Sequence, residues 1–414
     1  MNDTDTPTLK RIIFVDDDPN VGQAMKRMLR PMRRQWDMVF ATSAEEALDL
    51  MASQEPFDIV ISDMHMPGMD GAEFLAAVMD RYPETIRFAL SGSPGSGSVI
   101  DTASVVHQYL SKPFDPYELM QLIVRAFALR DQLEKSGIKQ LLLEMGGVPS
   151  VPTLYREILK EMQSSNPSVQ RVAAIIEKDA GMSAKVLQIV NSATYGLKQH
   201  VSNVIEAATL LGLSNIRNLV LAAESFEPAD DADLPEEFKL EQLFEHSLEV
   251  AAYAKKIVLL ETENRKMADD AFTAGLLHDI GQIILASKKS AEFGQALRTA
   301  AETGDLLIDV EKEMFGATHA EVGGYLMELW GLPDPITEAI TFHSYPSGCE
   351  EESFTAVTAL HVANYFSEGR EEDSTVLTSS FDTVHMERIG LDERVEDWYD
   401  VCHNEIYDTA YTTD

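Results

Sequence analysis

The sequence predicts an α/β doubly wound parallel domain at the N-terminus, joined by a long helix to an all-α domain. Three observations carry this. From Leu9 to about Arg130, short apolar runs alternate with amphipathic stretches of helical period. From Pro116 to about Glu144, apolar residues recur at Leu119, Leu122, Ile123, Ala126, Leu129 and Leu133, forming one stripe of a long helix. Beyond Val148 helical periodicity dominates and no convincing strand alternation follows.

The apolar runs of the first region are Ile12 to Val15, Ile59 to Ser62, Phe88 to Leu90 and Tyr109 to Leu110. They are short enough for strands buried on both faces. Gly137, Gly146 and Gly147 punctuate the far end of the long helix, and Pro149 and Pro152 open a new region. Helices are expected over Val169 to Lys178, Ser183 to Ser192, Val204 to Leu211, Leu243 to Leu259, Ala268 to Ser287, Thr318 to Trp330 and Phe354 to Phe366. Pro228 to Glu237 reads as an acidic loop. The segment 367–414 holds 14 acidic against 3 basic residues, with Leu391, Val395, Trp398 and Cys402 at helical spacing. That reads as an acidic tail, partly helical.

Length and composition bound the function. At 414 residues, and about 150 residues per domain, two or three domains are expected. The divisions fall at 9–130, a helical linker 131–147, a helical domain 148–366 and the tail 367–414. With 33 basic and 69 acidic residues the net charge is −36, which argues against nucleic acid and anionic membrane as partners. No basic recognition helix is present. Two cysteines, Cys349 and Cys402, and the start MNDTDTPTLKR fit a reduced, soluble, cytoplasmic protein.

Chemistry-bearing residues gather at predicted strand ends, where open parallel sheets place their sites. IIFVDDDP sets Asp16 and Asp17 after the first strand, and DIVISDMHMPGMDG sets Asp63 after another. Converging carboxylates repel one another unless a hard divalent cation sits among them. FALSGS and YLSKPF add Ser91 and Lys112 at two further strand ends. A hydroxyl and an ammonium there suit phosphoryl oxygens carried on a carboxylate. Each residue alone reads as an ordinary loop charge; it is the ordered set of strand-end positions that points to a site.

With these motifs, Leu9 to about Arg130 resembles the receiver domain of two-component response regulators. The resemblance implies a doubly wound, five-stranded parallel sheet, with Asp63 accepting a phosphoryl group from a sensor histidine kinase. It also implies Mg2+ held by Asp17, Asp63 and the backbone carbonyl of His65, with Asp16 contributing through water. Asp18 occupies a position usually acidic without being a ligand. Ser91 and Tyr109 would be the switch residues and Lys112 the phosphoryl-contacting cation.

In the helical half His246, His278, Asp279, His319 and His343 are candidate ligands of Zn, Mn or Fe drawn from several helices. A lone histidine on an apolar helix is more often a packed core residue, but the adjacent pair in AGLLHDIG asks for a cation, since a buried aspartate needs one. His361 and Asn364 follow in HVAN. This region resembles the HDOD family, relatives of the HD phosphohydrolases, over about Leu141 to Phe366. The matching stretches are VPSVPTL, AGMSAKVLQIVNSATYG, AATLLGLSNIRNLVL, AGLLHDIGQIIL, GATHAEVGGYLMELWGLP, AITFHSYP and HVANYF.

The match departs from the catalytic relatives, which end their ligand set with Asp where this chain has Asn364. Gln282 stands for the lysine of the cyclic-dinucleotide phosphodiesterases, and His343 is single, flanked by Phe342 and Ser344. The resemblance therefore implies a degenerate, non-catalytic domain binding a protein or a signalling nucleotide, with a transition metal or with histidines hydrogen-bonded in the core. The alternative is a metal-dependent phosphohydrolase or cyclic-dinucleotide phosphodiesterase centred on His278 and Asp279. Asn191 and Tyr195 of NSATYG suit a helix end, or else a recognition surface. The stripe of the linker helix fits packing on the helical domain or a homodimer, the latter preferred.

Overall fold

The computed structural model describes residues 9–91, 106–112, 115–135, 138, 141, 152–162, 164, 166–191, 201–225, 234–349, 352–368, 378 and 380–403. The chain divides into two compact units, the first holding residues 1–135, 142–156 and 163–166 and the second 136–141, 157–162 and 167–414, so that the helix Thr153–Met162 is shared between them.

In the first unit β1 (Lys10–Val15), β2 (Trp36–Ala41), β3 (Ile59–Asp63), β4 (Ile86–Ser91) and β5 (Gln108–Ser111) form one sheet of order β2-β1-β3-β4-β5. Every pairing is parallel. The helices α1 (Pro19–Met28), α2 (Ala44–Ser53), α3 (Gly71–Arg81) and α4 (Pro116–Lys135) alternate with the strands. All five residues of β3 are buried, as a central strand covered on both faces requires. Ile13, Val15, Val60, Phe74, Leu75 and Val78 share one core with Ala44, Ala47 and Met51 of α2. Full burial of each large side chain there contributes roughly 1.5–3 kcal/mol. Phe127 of α4 packs on Trp36 with ring centroids 5.6 Å apart. The strand β2, absent from the expected apolar runs, lies at the sheet edge with four of its six residues half-buried, so its sequence WDMVFA carries no unbroken apolar signal.

Local chemistry fixes the turns at the carboxyl edge. Asp18 caps α1, its side chain accepting from the Asn20 amide, and Pro19 occupies the first turn. Asp70 and Glu73 form a reciprocal capping box on α3. Gly71 lies so close to the end of β3 that a Cβ there would stand 2.1 Å from the Asp63 carbonyl oxygen.

Among its described residues the second unit is helical. Its further helices are Val169–Ile176, Ala180–Asn191, Val204–Ser225, Leu240–Thr262, Arg265–Leu277, Ile280–Lys288, Ser290–Thr303, Leu307–Phe315, His319–Leu329, Asp334–Phe342, Ala356–Glu368, Thr383–Ile389 and Val395–His403. One expected helix end is met and one expected continuity fails. Val204–Ser225 is long and apolar enough to pass for a membrane span, but it breaks at Gly212 (φ 79°), which divides it into two shorter arms. Ala268 to Ser287 is two helices that meet at His278 and Asp279, where Asp279 leaves helical geometry (φ −98°, ψ 12°). Gly275 allows close approach of two helices, since a Cβ there would lie 2.5 Å from the Ala251 Cα.

Within the expected acidic tail, Trp398 is fully buried, its ring 5.7 Å from that of Phe354. Its Nε1 donates to Glu261, which also pairs with Arg394 at 3.0 Å. Cys349 and Cys402 are buried, and Cys349 Sγ donates to Glu338 Oε1 at 3.2 Å. Of the expected linker, 131–135 continue α4; its remaining residues, Ile138 and Leu141 apart, lie outside the described residues.

Trp398→Ala should destabilise the helical unit by roughly 3–5 kcal/mol through the cavity it leaves. Calorimetry should show a lowered transition for that unit, whereas an unchanged transition would mean the C-terminal helix is not docked in solution. Gly71→Ala should destabilise the first unit by about 1–3 kcal/mol, because the intruding methyl meets backbone rather than a yielding side chain. Denaturant titration of that unit's transition checks this.

Candidate functional site

The parallel sheet delivers Asp16 directly after β1, Asp63 at the last residue of β3 and Lys112 directly after β5. Asp16 and Asp63 are buried and Asp17 is exposed, and one carboxylate oxygen of each lies within 4.8 Å of the others. Lys112 Nζ stands 2.6 Å from Asp16 Oδ2 and 2.9 Å from Asp63 Oδ2, bridging the two. The remaining oxygens accept from backbone: Asp16 Oδ1 from the Asp18 amide at 3.0 Å, and Asp63 Oδ1 from the Met64 amide at 2.8 Å. Burial raises the Asp16 carboxyl above its ordinary range against the pull of Lys112. Burial also works to lower the Lys112 ammonium, but the two carboxylates outweigh it and the net shift is upward.

Three carboxylates against one ammonium leave net negative charge in hard oxygen donors, which fits Mg2+. His65 lies two residues past Asp63 with its ring exposed. The backbones of Ser91 and Tyr109 lie in β4 and β5; their side chains fall outside the described residues.

The second cluster is deeper. Its donors form two groups that share Asp279: His246, His278 and Asp279, and Asp279, His319 and His343. Asp279 Oδ2 is 3.2 Å from His278 Nε2 and 3.9 Å from His246 Nε2, while Oδ1 is 3.2 Å from His319 Nε2 and 3.8 Å from His343 Nε2. Close as they are, both Asp279 oxygens and the Nε2 atoms of His278, His319 and His343 are buried without a hydrogen-bond partner. Leaving one such group unsatisfied costs about 1–3 kcal/mol, so five together mark a site. Although Asp279 begins the helix Ile280–Lys288, its side chain makes no capping bond.

The opposite ring nitrogens are all engaged. His278 Nδ1 faces the Gly275 carbonyl at 2.7 Å, His343 Nδ1 the Ile340 carbonyl at 2.8 Å, and His319 Nδ1 both Glu311 oxygens at 2.8 and 3.0 Å. With Nδ1 donating, the Nε2 of a neutral ring presents a lone pair to a metal; at His319 a proton favoured by Glu311 and Asp279 would leave first. The donors therefore fit a transition ion. Burial pulls the His319 imidazole down, but Glu311 and Asp279 overcome it and carry its pKa up to about 10. Burial, aided by His278, drops His343 well below its usual range. Asp279 is held well below the ordinary carboxylate range, His278 and His319 outweighing its burial.

Glu311 escaped the sequence reading. Its signal was faint but present: Leu307, Val310 and Glu311 fall on one helical face, placing a carboxylate on a buried stripe. His361 is not brought to the cluster as a ligand. Its Nδ1 donates to the His343 carbonyl and its Nε2 accepts from the Asp382 amide. Asn191 pins Val201 through two bonds, accepting from its amide at 2.7 Å and donating to its carbonyl at 2.8 Å. That supports a structural part for Asn191; Tyr195 lies outside the described residues.

Comparison with known proteins places both regions. The response regulator receiver domain family matches residues 12–124 and the HDOD domain family residues 148–346. The hydrogenase transcriptional regulatory protein HoxA of Cupriavidus necator is 32% identical over 28% of this chain and 23% of its own length. The signal receiver domain of an HD domain-containing protein from Pseudomonas fluorescens Pf-5 is 34% identical, covering 29% of this chain and 95% of that chain with a TM-score of 0.28. An HDOD domain protein of unknown function from Geobacter sulfurreducens is 20% identical, covering 68% of this chain and 98% of that one with a TM-score of 0.47. The chain spans about half the length, or less, of the curated relatives it matches. It thus carries an N-terminal receiver domain and a C-terminal HDOD domain, the arrangement of a two-component response regulator.

Proposed function

We propose that Asp63 is the phosphoacceptor, taking a phosphoryl group from a sensor histidine kinase, and that the HDOD domain is a non-catalytic output module. The observation that carries the acceptor assignment is the bridge from Lys112 to Asp16 and Asp63 at the sheet's carboxyl edge. An Asp63 carboxylate oxygen attacks phosphorus as the phosphorus–nitrogen bond of a phosphohistidine breaks, giving an aspartyl phosphate while the imidazole leaves. Asp17, Asp63 and the His65 carbonyl, with Asp16 through water, would hold Mg2+, which would supply charge neutralisation at the phosphoryl oxygens. Lys112, half-buried beside the acceptor, exchanges its bond to the Asp63 carboxylate for one to the new phosphoryl group. Ser91 and Tyr109 then rearrange, and α4 and the linker relay the change to the HDOD domain.

The output is binding of a protein or a signalling nucleotide by the HDOD surface, with homodimerisation through the linker helix as part of the proposal. A soluble, cytoplasmic setting fits a kinase-fed receiver. A transition metal in the HDOD domain belongs to the same reading, on the strength of the five orphaned donors. Those donors also favour a second reading, a metal-dependent phosphohydrolase or cyclic-dinucleotide phosphodiesterase. Against it stand Asn364, a neutral group where an acid would ligate, and Gln282, which carries no charge for a phosphate. Hydrolysis of a nucleotide or cyclic dinucleotide that vanishes in Asp279→Ala would establish the second reading.

Asp63→Asn should abolish labelling by a small phosphodonor while the fold persists; retained labelling would place the acceptor elsewhere. Lys112→Ala should still be phosphorylated, yet show none of the phosphorylation-dependent change in oligomeric state or inter-domain contacts measured for the parent. An equal response in that variant would remove Lys112 from the relay.

A further inference from the structure

The two halves of the HDOD donor cluster are unequal. On the Asp279 Oδ1 side, His319 and His343 are fully buried and both Nε2 atoms are unpartnered. Their separations from Oδ1, 3.2 and 3.8 Å, bracket the spacing of about 3.3 Å between tetrahedral donors at typical zinc distances. On the Oδ2 side, His246 Nε2 is already engaged by Asn364 Oδ1 at 2.9 Å. Asn364 therefore occupies His246 Nε2, while His246 Nδ1 faces Ser367 Oγ at 3.1 Å, whose hydroxyl donates to Glu249. With the Asn364 amide against it, His246 Nε2 is not open to a metal.

Glu311 adds a second asymmetry. Its carboxylate is fully buried, and both of its oxygens serve His319: Oε2 accepts from the His319 backbone amide at 2.8 Å, and both oxygens accept from Nδ1. A carboxylate behind a ligating imidazole fixes the ring and strengthens it as a donor. The backbone is built for this position: a Cβ at Gly281 would meet the His319 carbonyl oxygen at 1.9 Å, so only glycine lets the two helices approach there. The His246 and His278 half has no such backing, since His278 Nδ1 rests on a neutral carbonyl.

We propose that Asp279, His319 and His343 hold a single transition-metal ion, with Glu311 as the positioning residue, and that Asn364 keeps the His246 and His278 half free of a second. This deepens the transition-metal reading above and rests on it. The ion is a borderline first-row metal, as imidazole and carboxylate donors select.

The test uses full-length protein, stripped of metal, with excess Mg2+ present to occupy the receiver acids. Co2+ is titrated in by visible absorption and then displaced with Zn2+. The parent should bind one equivalent. Glu311→Gln should bind one equivalent with 10–100-fold weaker affinity and a shifted cobalt band, while metal-free circular dichroism stays that of the parent. Asn364→Asp should raise the count to two. Two equivalents in the parent, unchanged affinity in Glu311→Gln, or one equivalent in Asn364→Asp would overturn the inference and leave the transition-metal reading standing. No cobalt binding by the parent would remove that reading itself, while the Asp63 assignment would still stand on its labelling. Should Glu311→Gln fail to fold, Glu311→Asp, one methylene short, carries the same comparison: weaker binding supports the inference and equal binding overturns it.

Discussion

The bridge from Lys112 to Asp16 and Asp63 is the interaction on which the receiver site depends. Two buried carboxylates held together would otherwise repel, and burial alone already makes Asp16 harder to ionise. One ammonium satisfies part of that demand and leaves the rest to a divalent cation. The fold serves this balance: parallel strands of order β2-β1-β3-β4-β5 bring residues distant in sequence to one rim, and the glycine at 71 lets α3 start against the Asp63 carbonyl. Because Lys112 bonds to Asp63, the proposed phosphorylation of Asp63 would change that bond, which would tie chemistry at the rim to the strand β5 that leads into α4.

The helical unit meets the same constraint by other means. Asp279 is buried among imidazoles, and its neighbours stand near it without hydrogen-bonding to it. Donors that converge on a common point without hydrogen bonds there fit the ion proposed for them. The broken helix at His278 and Asp279 makes this geometry available, since a continuous helix would carry the carboxylate along its own face. Asn364 and Glu311 then weight the two halves differently. On the reading proposed, the domain keeps a metal while Asn364 and Gln282 stand where its catalytic relatives have an acid and a lysine.

What was legible in the sequence was local. Strand-end motifs announced Asp16, Asp63 and Lys112 because apolar runs flank them, and AGLLHDIG announced His278 and Asp279. Contacts across the fold were less visible. The edge strand Trp36–Ala41 hides its signal in half-buried positions. The break in Ala268 to Ser287 falls where periodicity runs on unbroken in sequence. Asp18, read as an acidic position beside the ligands, is a helix cap. Glu311 is one acid among several on its helix, and only the approach of His319 from the next helix gives it a task. Trp398 was legible as one of an apolar set at helical spacing, but its partner Glu261, distant in sequence, was not.

Magnesium binding tests the central claim most directly, because the carboxylate rim, its cation and the acceptor stand or fall together. Calorimetric titration of Mg2+ into the full chain should show one saturable site that Asp17→Asn removes and Asp279→Asn leaves intact, since hard oxygen donors gather at the sheet and imidazoles do not select magnesium. Undiminished magnesium binding in Asp17→Asn would contradict the account.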